Sequence, residues 1–134
     1  MSWPVDNTKL ERVRSMMKEQ DISALVCRAP DNVVYLTNYW GMKGYDAVVF
    51  PQQGEPTLIT LEPQQQDAGR NSWTRDIRLF DGYHPSDPRP PQFRAFDIAR
   101  STIPSLLRCC TTSRSPIDYW PSRVFRFRVM LVFR

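Results

Sequence analysis

Four aromatic side chains and a lysine crowd one short stretch: Tyr35, Tyr39, Trp40 and Tyr45, with Lys43 between Gly41 and Gly44. Aromatics in a glycine-flanked loop can line a ligand pocket, and a lysine there offers a cation to a carboxylate. The competing reading makes Tyr35 a core residue and packs the other aromatics on a sheet edge. His84 is the sole histidine, set between Tyr83 and Pro85. A general base or metal ligand needs partners, and without them His84 is an exposed loop residue. Asp76, Asp81 and Asp87 are spread loosely, as solvated surface charge is, and not as a carboxylate pair. Gly41-Met42-Lys43-Gly44 matches neither standard phosphate-binding glycine pattern. Cys27 lies in an apolar run and reads as a small buried hydrophobe. Cys109 and Cys110 are adjacent, so their side chains diverge, and no second pair or His cluster completes a zinc site. The residues therefore assemble neither a catalytic set nor a metal set.

The frame around these residues is ordinary. The chain has 134 residues, 41% hydrophobic and 24% charged, which fits one soluble globular domain, or one plus a fragment. About two-thirds of the unfolded surface can be buried at this length. No apolar run approaches the ~18 residues of a membrane-spanning helix. Met1-Ser2-Trp3-Pro4-Val5-Asp6 lacks a basic segment followed by an apolar stretch, so no secretory signal is expected. With no disulfide framework either, the cytoplasm is the expected compartment. The net charge of +4 suggests a nucleic-acid partner until the chain is divided. Residues 1–97 carry 11 Lys or Arg against 13 Asp or Glu, whereas residues 98–134 carry 7 Arg against the single Asp118. The basic excess belongs to the ending alone. There Arg123, Phe125, Arg126, Phe127 and Arg128 interleave charge with aromatics, as single-strand nucleic-acid binders do. The same ending has no Gly, Lys or Glu, the composition that a GC-rich gene gives when read in a shifted frame. Nucleic-acid binding is therefore not the expected role, and a period of two makes no amphipathic membrane helix.

The elements that must position the aromatic loop follow from periodicity. Leu10, Val13 and Met17 make a helical stripe, with Met16 broadening it, and Thr8 to Glu11 has capping-box spacing, predicting a helix over 8–20. Ile22–Cys27 reads as a buried strand. Asp31 or Asn32 could cap a single helical turn through Val33–Leu36. Thr37–Gly44 reads as a loop. Tyr45–Phe50 and Thr57–Leu61 flank a Gly-containing link and predict a hairpin. Glu62-Pro63 opens a helical segment to about Arg70. Asp76–Phe80 alternates as a half-exposed strand, and 92–100 has helical spacing. Helices interleaved with strands in this order predict an α/β fold, a mixed sheet flanked by helices. Beyond Ser101 the pattern stops, and Pro104 is expected to break any continuing helix. Residues 124–133, taken alone, are a strand candidate. We therefore expect a domain over 1–100 and an irregular, atypical basic tail over 101–134. The tail is expected to be frameshifted or disordered, beginning to depart between about Ser101 and Cys109.

The run Leu10-Glu11-Arg12-Val13-Arg14-Ser15-Met16-Met17-Lys18-Glu19-Gln20-Asp21-Ile22-Ser23-Ala24-Leu25-Val26, followed by Pro30-Asp31-Asn32-Val33-Val34-Tyr35-Leu36-Thr37-Asn38-Tyr39, resembles the N-terminal domain of the creatinase and prolidase family. The resemblance covers about residues 8–100 and is most specific over Asn32–Thr37, while Asn38 departs from the family's common Gly. It implies a helix-flanked mixed sheet that is not the catalytic part. In the family, chemistry belongs to a following pita-bread domain. That domain holds two divalent metal ions with two Asp, one His and two Glu and cleaves Xaa-Pro or related amide bonds. Bridged metals generate hydroxide and polarise the scissile carbonyl. No ligand of that set carries over to this chain, since its only His precedes Arg100 and its ending has no Glu. The resemblance further implies a truncated, inactive fragment of a parent that acts on a peptide or small amide and pairs as a homodimer. Tyr39, Trp40 and Lys43 then correspond to the loop offered to the partner subunit's substrate mouth. A free-standing small-ligand or protein-binding module using the Tyr39-Trp40 loop is the first alternative. A small basic nucleic-acid-binding protein is the second.

Overall fold

The computed structural model describes the backbone of residues 4–41, 44–109 and 128–132, and the side chains of 4–41 and 44–103. Helix α1 (Asn7–Glu19) starts at Asp6, whose carboxylate accepts the Lys9 N–H at 3.0 Å. Asp6 thus satisfies a free first-turn donor, and Thr8 already lies inside the helix instead of capping it. Leu10, Val13 and Met17 are buried, whereas Met16 points to solvent. Asp21, at φ 55°, turns the chain into β1 (Ile22–Cys27). Helix α2 (Pro30–Thr37) is longer than the single turn expected, and no side chain caps it. Pro30 at its first position supplies the preset φ and lacks the N–H that a cap would have to satisfy.

Strands β2 (Ala47–Pro51) and β3 (Thr57–Leu61) form the predicted hairpin, antiparallel with Ala47 opposite Ile59. Gly54 supplies a φ of +94° in the link, a conformation costly for any residue with a Cβ. A 3-10 turn over Glu62–Gln64 leads into α3 (Gln65–Asn71), then β4 (Asp76–Phe80) and α4 (Pro91–Cys109). The final strand is β5 (Arg128–Val132).

The sheet order is β4-β3-β2-β1-β5. The β1–β2 and β2–β3 pairs are antiparallel, while β3–β4 and β1–β5 are parallel. This is the mixed sheet expected. Every residue of β2 and β3 is buried, because helices cover both faces. On one face Val48, Phe50 and Leu58 pack with Leu10, Met17, Val33, Leu36, Tyr39 and Ala68 from the α1, α2 and α3 side. On the other, Val49, Ile59, Leu61 and Phe80 pack with Ala95 and Ala99 of α4.

Helix α4 does not end at Ser101. It passes through Pro104 to Cys109. Proline removes one helical hydrogen bond and crowds the preceding turn. The turns before it, however, are already seated on the sheet through Ala95, Ala99 and the half-buried Ile98 and Ile103, and tertiary packing overrides local propensity. The ending expected to be irregular therefore contains the end of α4 and strand β5, the latter inside the 124–133 candidate. The rest of residues 101–134, and the interleaved Arg123–Phe127 motif with them, lies outside the described residues.

Candidate functional site

The aromatic segment leaves α2 through two polar residues. The Thr37 hydroxyl donates to the Val33 carbonyl at 2.7 Å and accepts the Tyr39 N–H at 3.2 Å. The Thr37 carbonyl accepts from the Ser72 hydroxyl and the Trp73 N–H, each at 3.1 Å, so the end of α3 pins this corner. Asn38 then adopts φ 63° and ψ 16°. This left-handed conformation suits Gly best and Asn next, so Asn38 can hold this turn.

The left-handed corner sends the next two side chains in opposite directions. Tyr39 is 0% exposed and belongs to the core, whereas Trp40 is 59% exposed. Tyr35 is half-exposed, with Lys9 Nζ 4.9 Å from its ring centroid. Tyr45 packs against the α4-side core. The four aromatics therefore do not line one pocket. The competing expectation, with Tyr35 in the core, is also corrected, since Tyr39 fills that role. Of the three mouth candidates, Trp40 faces solvent, Tyr39 is enclosed, and Lys43 lies outside the described residues.

Beneath this segment is a polar group that sequence reasoning missed. Asp46 is only 3% exposed, directly before the buried strand β2. Among the described residues, Asp46 Oδ1 and Tyr39 Oη are buried without a hydrogen-bond partner. The Thr60 hydroxyl stands beside both but donates to Gln64 Oε1 at 3.1 Å. Burial pushes the Asp46 carboxyl above the usual carboxylate range, with the nearby Thr60 hydroxyl pulling the other way. Burial likewise raises Tyr39. Position 41 has no room for a side chain, because a Cβ there would fall inside the Asp46 carboxyl. The only sequence trace of this arrangement is an acidic residue placed just ahead of an apolar strand.

The remaining candidates are structural. Asp76 accepts the Thr57 hydroxyl at 2.6 Å. Asp81 accepts the Tyr83 N–H at 3.3 Å. Asp87 pairs with Arg89 at 2.7 Å and Arg94 at 3.5 Å, and Arg89 also reaches Asp97 at 3.0 Å. The hydrogen bonds from Arg89 hold the Asp87 carboxyl well below the usual range. His84 uses Nδ1 to accept the Ser86 N–H at 3.2 Å. It borders an open hollow of about 460 Å³ that Phe80, Asp87, Arg94 and Ile98 also line. Among the described residues, no group of three or more His, Cys, Asp or Glu could hold a metal ion. Cys27 is buried, and burial pushes its thiol up to about 11, which keeps it neutral and unreactive. No helix of the described residues is long and apolar enough to cross a membrane.

Comparison with known proteins bears on the fold. Residues 9–109 match the family model of the Creatinase/Prolidase N-terminal domain. The Xaa-Pro dipeptidase from Bacillus anthracis is 18% identical with a TM-score of 0.57, over 74% of this chain and 24% of that one. The creatinase/prolidase N-terminal domain of an X-Pro dipeptidase from Streptococcus pyogenes is 14% identical with a TM-score of 0.52, over 69% of this chain and 72% of that one. Against the prolidase from Pyrococcus horikoshii OT3 the identity is 20% and the TM-score 0.49, over 55% of this chain and 20% of the prolidase. The chain thus spans a fifth to a quarter of the longer of these relatives. Among curated proteins, none matches the sequence.

Proposed function

Because the chain belongs to the creatinase/prolidase N-terminal domain family, we propose that it is the non-catalytic N-terminal domain of a metal-dependent Xaa-Pro dipeptidase or aminopeptidase-like hydrolase. The observation that carries this reading is the family match over residues 9–109, on a helix-flanked mixed sheet of the family's kind. Bond cleavage is assigned to a catalytic domain outside residues 1–134, where two divalent metal ions would activate water and polarise the scissile carbonyl of a peptide or small amide. The body of this domain is residues 1–100, with α4 running on to Cys109 and β5 of the basic segment 101–134 joining the sheet. The intact enzyme works in the cytoplasm.

The domain's own contribution is positional. It pairs with a second subunit and offers the segment after α2 to the partner's substrate mouth. Trp40 is the contact residue, since it stands exposed on a segment that Asn38 and the α3 end fix in place. Tyr39 anchors that segment in the core, and Lys43 offers a cation for a substrate carboxylate. In an intact enzyme carrying this domain, Trp40→Ala is expected to raise KM about ten-fold, equivalent to ~1.4 kcal/mol of binding, with kcat within about two-fold. An unchanged KM overturns the mouth role.

A further inference from the structure

The Asp46 carboxyl plays no part in the role just proposed, yet it occupies an unusual place. It is buried at the head of β2, its Oδ1 has no partner among the described residues, and its Oδ2 and Cγ fill the space that a side chain at Gly41 would need. Gly41 follows Trp40 directly. We propose that the Asp46 carboxyl is a proton-operated latch that sets the position of Trp40 through the Gly41 backbone. In its neutral form the carboxyl lies against Gly41 and keeps Asn38–Gly41 seated on the sheet. In its ionised form it must recover solvent, and the backbone lying against it at Gly41 is the one that carries Trp40.

The physics follows from the groups that face Asp46. From β3 comes the Thr60 hydroxyl, already donating to Gln64. From the loop itself comes the Tyr39 hydroxyl, which has no hydrogen-bond partner among the described residues. Asp67 of α3 acts on Tyr39 as a like-signed charge. Among the described residues no cation acts on Asp46. An ionised carboxylate with an empty oxygen in such a place is strongly disfavoured, and either the proton is retained or the carboxyl is exposed. The buried position is the one seen, and burial pushes the carboxyl toward keeping its proton. Exposure is open to it as well, because Trp40, next to Gly41, is at the surface, while the core anchor of the segment is the preceding Tyr39. The latch concerns this chain alone and stands whether or not Trp40 meets a substrate.

The test is the indole 15N–1H resonance of Trp40 in the full 134-residue chain from pH 4 to pH 8, assigned by its loss in Trp40→Phe. The expected result is one titration with a midpoint above the ordinary carboxylate range. In Asp46→Asn the resonance should stay at the wild-type acid position at every pH. In Gly41→Ala, where the carboxyl is displaced, it should sit near the wild-type alkaline position even at pH 4. A Trp40 resonance that ignores pH in the wild type, or a titration that persists in Asp46→Asn, overturns the latch. The side-chain 13C carboxyl shift of Asp46 in the wild type is a second readout that needs no variant. A midpoint within the ordinary range of about 4 overturns the proposal, and one above it that matches the Trp40 midpoint supports it.

Discussion

Two adjacent side chains at the residue scale determine what this surface can present. The left-handed turn at Asn38 (φ 63°) sends Tyr39 inward and Trp40 outward. Asn38→Gly should therefore be close to neutral, within about 0.5 kcal/mol, while Asn38→Val should cost about 1–2 kcal/mol because its Cβ crowds the following carbonyl in that conformation. Urea denaturation of the two variants checks this. Asp46 gives a dependence of opposite sense to that of most carboxyls. Its folded pKa lies above the unfolded one, so its contribution is fully present below the unfolded value near ~4 and falls as pH rises through the folded value. Asp87 is lowered, chiefly by its hydrogen bonds with Arg89, and its contribution is lost as pH falls. Asp46→Asn should remove the alkaline fall and leave the acid one, which unfolding midpoints between pH 3 and pH 8 will show. Little of this is legible in the sequence. The aromatic cluster is visible there, but periodicity does not say which of two neighbouring rings goes in, and a single Asp gives no hint that Gly41 will lie on it.

Elements are far more legible than side-chain roles. Strands β1, β3 and β4 fall on Ile22–Cys27, Thr57–Leu61 and Asp76–Phe80 as patterning predicts, because short apolar or β-rich runs bounded by turn residues suit the covered strands β1 and β3, and a two-residue period suits the half-exposed β4. Helix ends are less readable. Asp6 caps α1 in place of Thr8, since the choice depends on the path by which the chain enters. Helix α4 overrides Pro104 because of the sheet beneath it, a tertiary effect that no local window contains. Among the described residues, strand β5 is held on one side only, by β1. Deleting residues 128–134 should leave β1 as a bare edge, with faster amide exchange along Ile22–Cys27 and self-association with rising concentration. Hydrogen exchange and sedimentation measure the two effects, and unchanged exchange in β1 would count against the pairing.

For the whole molecule, the net charge of +4 suggests a small basic domain, whereas the part that makes up most of the fold is slightly acidic and family-typical. The purified 134-residue chain is expected to show no hydrolysis of Ala-Pro or Gly-Pro with added Mn²⁺, and turnover above a buffer control would contradict the assignment of chemistry to another domain. Translation of the downstream DNA in the other two frames should show Asp, Asp, His, Glu and Glu in that order if the parent reading is right. The parallel pairing of β1 with β5, which sets Leu25 opposite Met130, also orders events in time. Those partners lie at opposite ends of the sequence, so their contact carries the largest loop-closure cost in the sheet and comes last. During synthesis the β1 edge stays open until residues 128–132 have emerged, while β2, β3 and β4 assemble from neighbours. The nascent chain is thus most vulnerable to wrong strand partners at its first strand, for as long as the intervening hundred or so residues take to be made.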